Sequence, residues 1–238
     1  SGVPDRVVTG SLRTGTVTLM DIVDEDPDLK PGYPRIVAQY NAVQGVHTLA
    51  ADPVTGFIYM TNKYVPAIYK LGVEESVDGP TLSLEETGLL PAPFNTGDYG
   101  RGFAFAREGR FALIAYRTPP SVLVLDGGDD TQSYDQTTLK LVPVGAQPAH
   151  LRVYPSGPGG KELAYVVCHG DNVVWVLDTE TFLPVAKIPV GGGPYDMAAV
   201  FNDNLKRGYV SNFVGHTVSV IDLDPDSPYY HTQIAEIH

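Results

Sequence analysis

The chain is predicted to be all-β and to fold as a β-propeller of four-stranded blades. Three observations carry this expectation. One phrase recurs at a period in the mid-forties of residues: Ala164-Tyr165-Val166-Val167 with Val173 to Asp178, then Gly208 to Asn212 with Thr217 to Asp222. The copies consist of short apolar strands separated by turns, and a strand-only repeat of that length is how propeller blades are written. The 25 Gly and 20 Pro supply tight turns, and the 14 Tyr suit pleated, half-buried surfaces.

The blades read in order along one domain, 1–238. A first, partial blade (6–40) holds Arg6 to Thr9, Thr16 to Met20 and Arg35 to Gln39 as second, third and fourth strands. Blade 46–88 runs inner to outer through His47 to Asp52, Phe57 to Thr61, Ala67 to Leu71 and Thr81 to Thr87. Blade 101–144 uses Gly102 to Ala106, Phe111 to Ala115, Ser121 to Leu125 and Lys140 to Val144. Blade 149–190 uses His150 to Tyr154, Leu163 to Val167, Val173 to Leu177 and Ala186 to Val190. Blade 195–238 uses Asp196 to Val200, Gly208 to Ser211, Thr217 to Ile221 and Thr232 to Ile237. Inner strands are small and apolar, as a crowded axis requires. Fourth strands lie at the rim and are patterned weakly. About five blades are visible, and the first lacks its inner strand. A strand following His238 would close a ring of five. Alternatively the chain is one arc of a larger, seven-bladed propeller, which the exposed edges of an open ring favour.

Charge and cysteine usage exclude several classes. The formal net charge is −12. A phosphate backbone is held by clustered Lys and Arg, so nucleic acid and anionic membrane surfaces are not expected partners. No run approaches the ~18 apolar residues of a membrane helix. Cys168 is the single cysteine, which rules out an intrachain disulfide and a cysteine zinc cluster. Cys168 beside His169 and Trp175 in a third strand both read as packing.

Tyr59-Met60-Thr61-Asn62 and Tyr209-Val210-Ser211-Asn212 resemble the tetrapeptide of the YVTN β-propeller repeat family. The resemblance is fullest over 145–222, where Ile188 to Pro194 precedes an inner strand and Thr217 to Asp222 follows. Pro148-Ala-His-Leu-Arg-Val-Tyr-Pro155 is similar to an inner-strand phrase of lactonase-type seven-bladed propellers. These families include surface-layer and adhesive proteins, sugar-lactone hydrolases and electron-transfer enzyme subunits. Their shared motif implies the fold and leaves function open.

Propeller topology places loops joining fourth to inner strands on the same face as loops joining second to third strands. That face gathers His47, Arg101, His150, Tyr195 and Asp196 from the first set and Lys63, Arg117 and His169 from the second, as a candidate ligand-binding opening. As a catalytic set, His150 with Asp196 could supply a general base and Arg101 could hold an anionic oxygen, as lactone hydrolysis needs. His47, His150 and His169 are the candidate ligands for copper or zinc, although no HxH or HxxxH spacing supports them. Asp24, Asp26 and Asp28 form an acidic loop that could take calcium, as could Asp222, Asp224 and Asp226, but neither has EF-hand spacing. Gly191-Gly192-Gly193 leads into a strand and reads as a turn, not a phosphate cradle.

Two functions are therefore expected. The favoured one is a non-catalytic binding or scaffold propeller, secreted, periplasmic or on the cell surface, presenting divergent loops to a protein or glycan. Further blades or domains of a parent chain would be additional partners. The alternative is an enzyme at the central opening, either a lactonase-like hydrolase or a metal- or haem-partnered oxidoreductase.

Overall fold

The computed structural model describes residues 6–22, 35–42, 44–65, 67–89, 100–126, 139–156, 161–202 and 204–238. Their regular structure consists of nineteen β-strands in five antiparallel sheets. The first sheet has three strands: β1 (Arg6–Gly10), β2 (Thr16–Asp21) and β3 (Arg35–Asn41). The other four have four each. The second sheet is β4 (Val46–Ala51), β5 (Ile58–Asn62), β6 (Ala67–Glu74) and β7 (Thr81–Leu89). The third is β8 (Gly102–Ala106), β9 (Phe111–Arg117), β10 (Pro120–Asp126) and β11 (Leu139–Pro143). The fourth is β12 (Pro148–Pro155), β13 (Glu162–Cys168), β14 (Val173–Asp178) and β15 (Pro184–Pro189). The fifth is β16 (Pro194–Asn202), β17 (Leu205–Asn212), β18 (Thr217–Asp222) and β19 (Gln233–Ile237). Each sheet is a meander in which sequence neighbours pair, as blades of a propeller do. Among the described residues no helix is long and apolar enough to cross a membrane.

The core lies between blades rather than within one layer. Val17 and Leu19 of the first sheet pack on Val46, Ile58 and Met60 of the second. Tyr59 of the second meets Phe103, Ile114 and Leu123 of the third. Val122 and Val124 of the third meet Leu151, Val166 and Leu177 of the fourth. Tyr165, Val174 and Ile188 of the fourth meet Met197, Val210 and Ile221 of the fifth. A middle blade is therefore covered on both faces. Its second strand is buried throughout, as β5 is and as β9 and β13 nearly are. That is why those strands read as apolar runs instead of alternating. Cys168 and Trp175 belong to the cluster between the third and fourth blades, as packing residues.

Many of the acidic residues find their cause here. Four third strands end in Asp, and each Asp meets a cation near the start of the neighbouring second strand. Arg6 reaches Asp21 at 2.9 Å, Arg110 reaches Asp126 at 3.3 Å, Lys161 reaches Asp178 at 3.6 Å and Arg207 reaches Asp222 at 2.7 Å. Asp222 Oδ1 also accepts the Asp224 amide, and Lys206 lies 2.9 Å from Asp224. Asp222 and Asp224 thus serve a turn and ion pairs in this loop. Asp24, Asp26 and Asp28 lie outside the described residues.

Candidate functional site

Register explains how residues distant in sequence meet. Thr48, Gly102, His150 and Asp196 lie opposite Thr61, Ala115, Val167 and Ser211 in their sheets, so all four hold the same place in successive blades. In three blades the preceding residue is skipped by the ladder: His47, Ala149 and Tyr195. Such a bulge re-aims the skipped side chain at the head of a strand. The inner strands of the last two blades accordingly begin at Pro148 and Pro194, two residues before His150 and Asp196.

Arg101, next to Gly102, is buried. The His47 Nδ1 lies 2.8 Å from the Arg101 carbonyl oxygen, and its Nε2 lies 3.2 Å from Arg101 Nη1. A carbonyl only accepts, so Nδ1–H donates to it and Nε2 accepts from the guanidinium. Burial first, and then the Arg101 charge, push the His47 pKa down to about 4. Lys63 acts on His47 in the same direction. The His47 ring is therefore neutral and uses both nitrogens.

His150 stands beside it, with ring centroids 6.0 Å apart, and Tyr195 packs on the other side at 5.4 Å. The nearest carboxylate oxygen, Asp196 Oδ1, is 3.9 Å from His150 Nδ1, too far for a hydrogen bond. Arg152 Nη2 donates to Asp196 Oδ2 at 2.7 Å and holds that carboxylate. Burial is the main cause lowering the His150 pKa, with Asp196 opposing and Arg152 and Arg101 assisting. A neutral His150 makes no ion pair with Asp196. Its Nδ1 is buried without a hydrogen-bond partner among the described residues.

Gly102 makes this arrangement possible. A Cβ placed there would stand 2.7 Å from the Leu151 nitrogen and 3.1 Å from the His150 Cα. Both are backbone atoms that cannot swing away, so blade four approaches this closely only over a glycine.

The expected residues divide into two groups. His47, Arg101, His150, Tyr195 and Asp196 come together, with Lys63 near His47. Arg117 and His169 instead tie blades: Arg117 Nε donates to the Pro148 carbonyl at 3.4 Å, and His169 Nδ1 donates to the Pro194 carbonyl at 3.2 Å. Thr61 Oγ1 does the same for Gly100 at 3.1 Å. His169 is held at the Pro194 carbonyl, while His47 Nε2 faces the Arg101 guanidinium. Among the described residues no group of three or more His, Cys, Asp or Glu converges to hold a metal ion. Cys168 is buried, and burial pushes its thiol up to about 12, far from a reactive thiolate. Sequence reasoning missed Arg152. It sits two residues after His150, and period-two alternation puts both on one face of the strand.

No protein-family model matches the chain, and no curated protein matches it by sequence. Solved structures do. A candidate 6-phosphogluconolactonase from Bacteroides uniformis has a TM-score of 0.70 at 14% identity, over 98% of this chain and 67% of that one. Dihydro-heme d1 dehydrogenase NirN, in complex with DHE, has a TM-score of 0.61 at 15% identity, over 98% and 45%. Hydrazine synthase from Kuenenia stuttgartiensis has a TM-score of 0.59 at 18% identity, over 81% and 49%. The chain thus spans about half the length of the last two. At these identities the likeness is one of fold, and the fold is the β-propeller.

Proposed function

We propose that this propeller is a binding module, acting outside the cytoplasm, whose central opening receives an anionic group carried by a protein or glycan partner. One observation carries the reading. In a chain of net charge −12, Lys63, Arg101 and Arg152 stand about the His47 and His150 rings, with Asp196 as the carboxylate among them. Low-dielectric walls around such a cluster raise its local potential and draw in an anion. Arg101, with Nη1 on His47, and Arg152, with Nη2 on Asp196, bring positive charge suited to a carboxylate, sulfate or phosphate. The buried Nδ1 of His150 offers one further polar contact, and leaving such an atom without a partner costs about 1–3 kcal/mol. Reading the strands as YVTN-type repeats fits this proposal and rests on Tyr59 to Asn62 and Tyr209 to Asn212.

The test is calorimetric titration with inorganic phosphate, gluconate and oligogalacturonate. Binding of at least one, weakened tenfold or more by Arg152→Gln and by His150→Phe, supports the reading. Heats no larger than those of dilution for all three sink it.

A hydrolase is the second reading, favoured by a neutral His150 beside Asp196 with Arg101 nearby. His150 would take a proton from water while Arg101 stabilised the developing oxyanion. Turnover of a panel of sugar lactones, lost in His150→Ala, would establish it. Copper or zinc at His47 and His150 would first need Arg101 to leave His47 Nε2, so stoichiometric metal in purified protein would overturn this account of the pair.

A further inference from the structure

Asp196 stands between two groups that can carry positive charge and has taken only one. Its Oδ2 accepts from Arg152 Nη2 at 2.7 Å, while its Oδ1 lies 3.9 Å from His150 Nδ1. The Asp196 side chain is 35% exposed, so it has room to turn. A closing of about 1 Å brings Oδ1 and Nδ1 within hydrogen-bond range.

The charged groups that face His150 come from three elements. Arg101 stands just ahead of β8, Arg152 is on the ring's own strand β12, and Asp196 is on β16. The His47 ring, 6.0 Å away, is neutral and already bonded to Arg101, and Tyr195 packs on the other side. Burial disfavours an imidazolium at His150 most, the two arginines add to that, and Asp196 favours it. An anion entering the opening changes this balance. It offsets the guanidinium charges and competes with Asp196 for Arg152. The nearest other group able to offer the released carboxylate a charged donor is His150.

Resting on the anion-binding reading above, we propose that the opening takes up a proton together with its anion. Arg152 passes from Asp196 to the anion, and Asp196 pairs with a protonated His150. The proton comes from solvent, and no covalent bond changes besides the new N–H. A charged imidazole donates from both nitrogens, so it fills the vacancy at Nδ1, which is buried without a hydrogen-bond partner among the described residues. An anion bound with a proton binds more tightly as pH falls. The opening therefore holds its partner in mild acid and releases it as pH rises.

Calorimetric titration with sulfate and with gluconate, which keep their charge from about pH 6 to 8, tests this. Each titration is run in two buffers of different ionisation enthalpy. The expected result is a buffer-dependent heat reporting uptake of up to one proton per anion. Affinity should rise by up to about tenfold for each pH unit lost. His150→Gln should abolish the uptake and the pH dependence, and Asp196→Asn should reduce the uptake by about half or more. Circular dichroism at each pH confirms that the strands are kept. Anion binding with equal heats in both buffers and a flat affinity overturns the proton exchange while the anion site stands. Undiminished uptake in either variant assigns the proton to another group and also overturns it. Silence from both anions overturns it as well, and the phosphate titration above then decides whether an anion site remains.

Discussion

The two halves of the opening hold the same residue type at nearly the same place and treat it differently. Between blades two and three, His47 spends both ring nitrogens on Arg101, donating to its carbonyl and accepting from its guanidinium. Between blades four and five, His150 faces Asp196 at 3.9 Å, while Arg152 has already claimed that carboxylate. One histidine is a lock and the other is unsatisfied. Residue identity does not separate them; the completeness of their hydrogen bonding does. A saturated polar group holds a fold together, and a buried unsatisfied one marks where a ligand atom gains most.

The largest expected effect breaks the junction that brings the halves together. Gly102→Ala puts a methyl against the Leu151 and His150 backbone. It should cost about 2–3 kcal/mol, or roughly 4–12 °C in Tm, by thermal denaturation. Gly192→Ala, whose Cβ would find its nearest neighbour at 3.5 Å, is the matched control and should shift Tm far less. Equal losses in the two variants would remove the close-approach argument.

Next, the lock should cost more to remove than its counterpart. Arg101→Met strips His47 of a partner and should destabilise by about 1–3 kcal/mol. His150→Phe deletes an unsatisfied nitrogen at similar shape and should stay within about 1 kcal/mol of wild type, while weakening anion binding tenfold or more. Chemical denaturation of both variants checks the order, and the reverse order would contradict the comparison.

Acid should weaken both halves. Burial lowers the His47 and His231 pKa values to about 4 and lowers that of His150, against an ordinary 6.5. Between those limits the unfolded chain binds more protons than the folded one, so stability is complete above about pH 7 and declines as pH falls from 6.5 toward 4. Tm measured across that window should drop, and His47→Gln should flatten the drop. A flat wild-type profile would show that these rings stay accessible to protons. The smallest effect concerns Cys168: iodoacetamide at pH 8 should leave the native thiol unreacted and modify it once the chain is unfolded. Rapid labelling of native protein would place it at the surface.

Strand text was sufficient for the fold because each blade repeats the same physical problem. Phe111 to Ala115 and Leu163 to Val167 are apolar on both faces, as strands between two sheets must be. The clustering of His47, Arg101, His150 and Asp196 followed from topology, since all sit at strand heads on one face. What remained hidden depends on three-dimensional pairing. Arg152 shares a strand face with His150, but its role shows only once Asp196 is seen within its reach. Arg117 and His169 share the loop position of Lys63 but turn to backbone carbonyls of the next blade, a choice set by loop geometry. Ile36, Ile188 and Ile237 look alike as rim-strand residues, and only the structure separates the buried Ile188 from the exposed pair.

The central claim is that His150, not His47, is the ligand-ready ring. Nitrogen-resolved NMR of the histidine side chains during titration with the tightest-binding anion tests it directly. The account predicts that the His150 ring signals move to saturation while His47 keeps its Nδ1–H form unchanged. Movement at His47 with His150 silent, or no movement at either ring on binding, would contradict it.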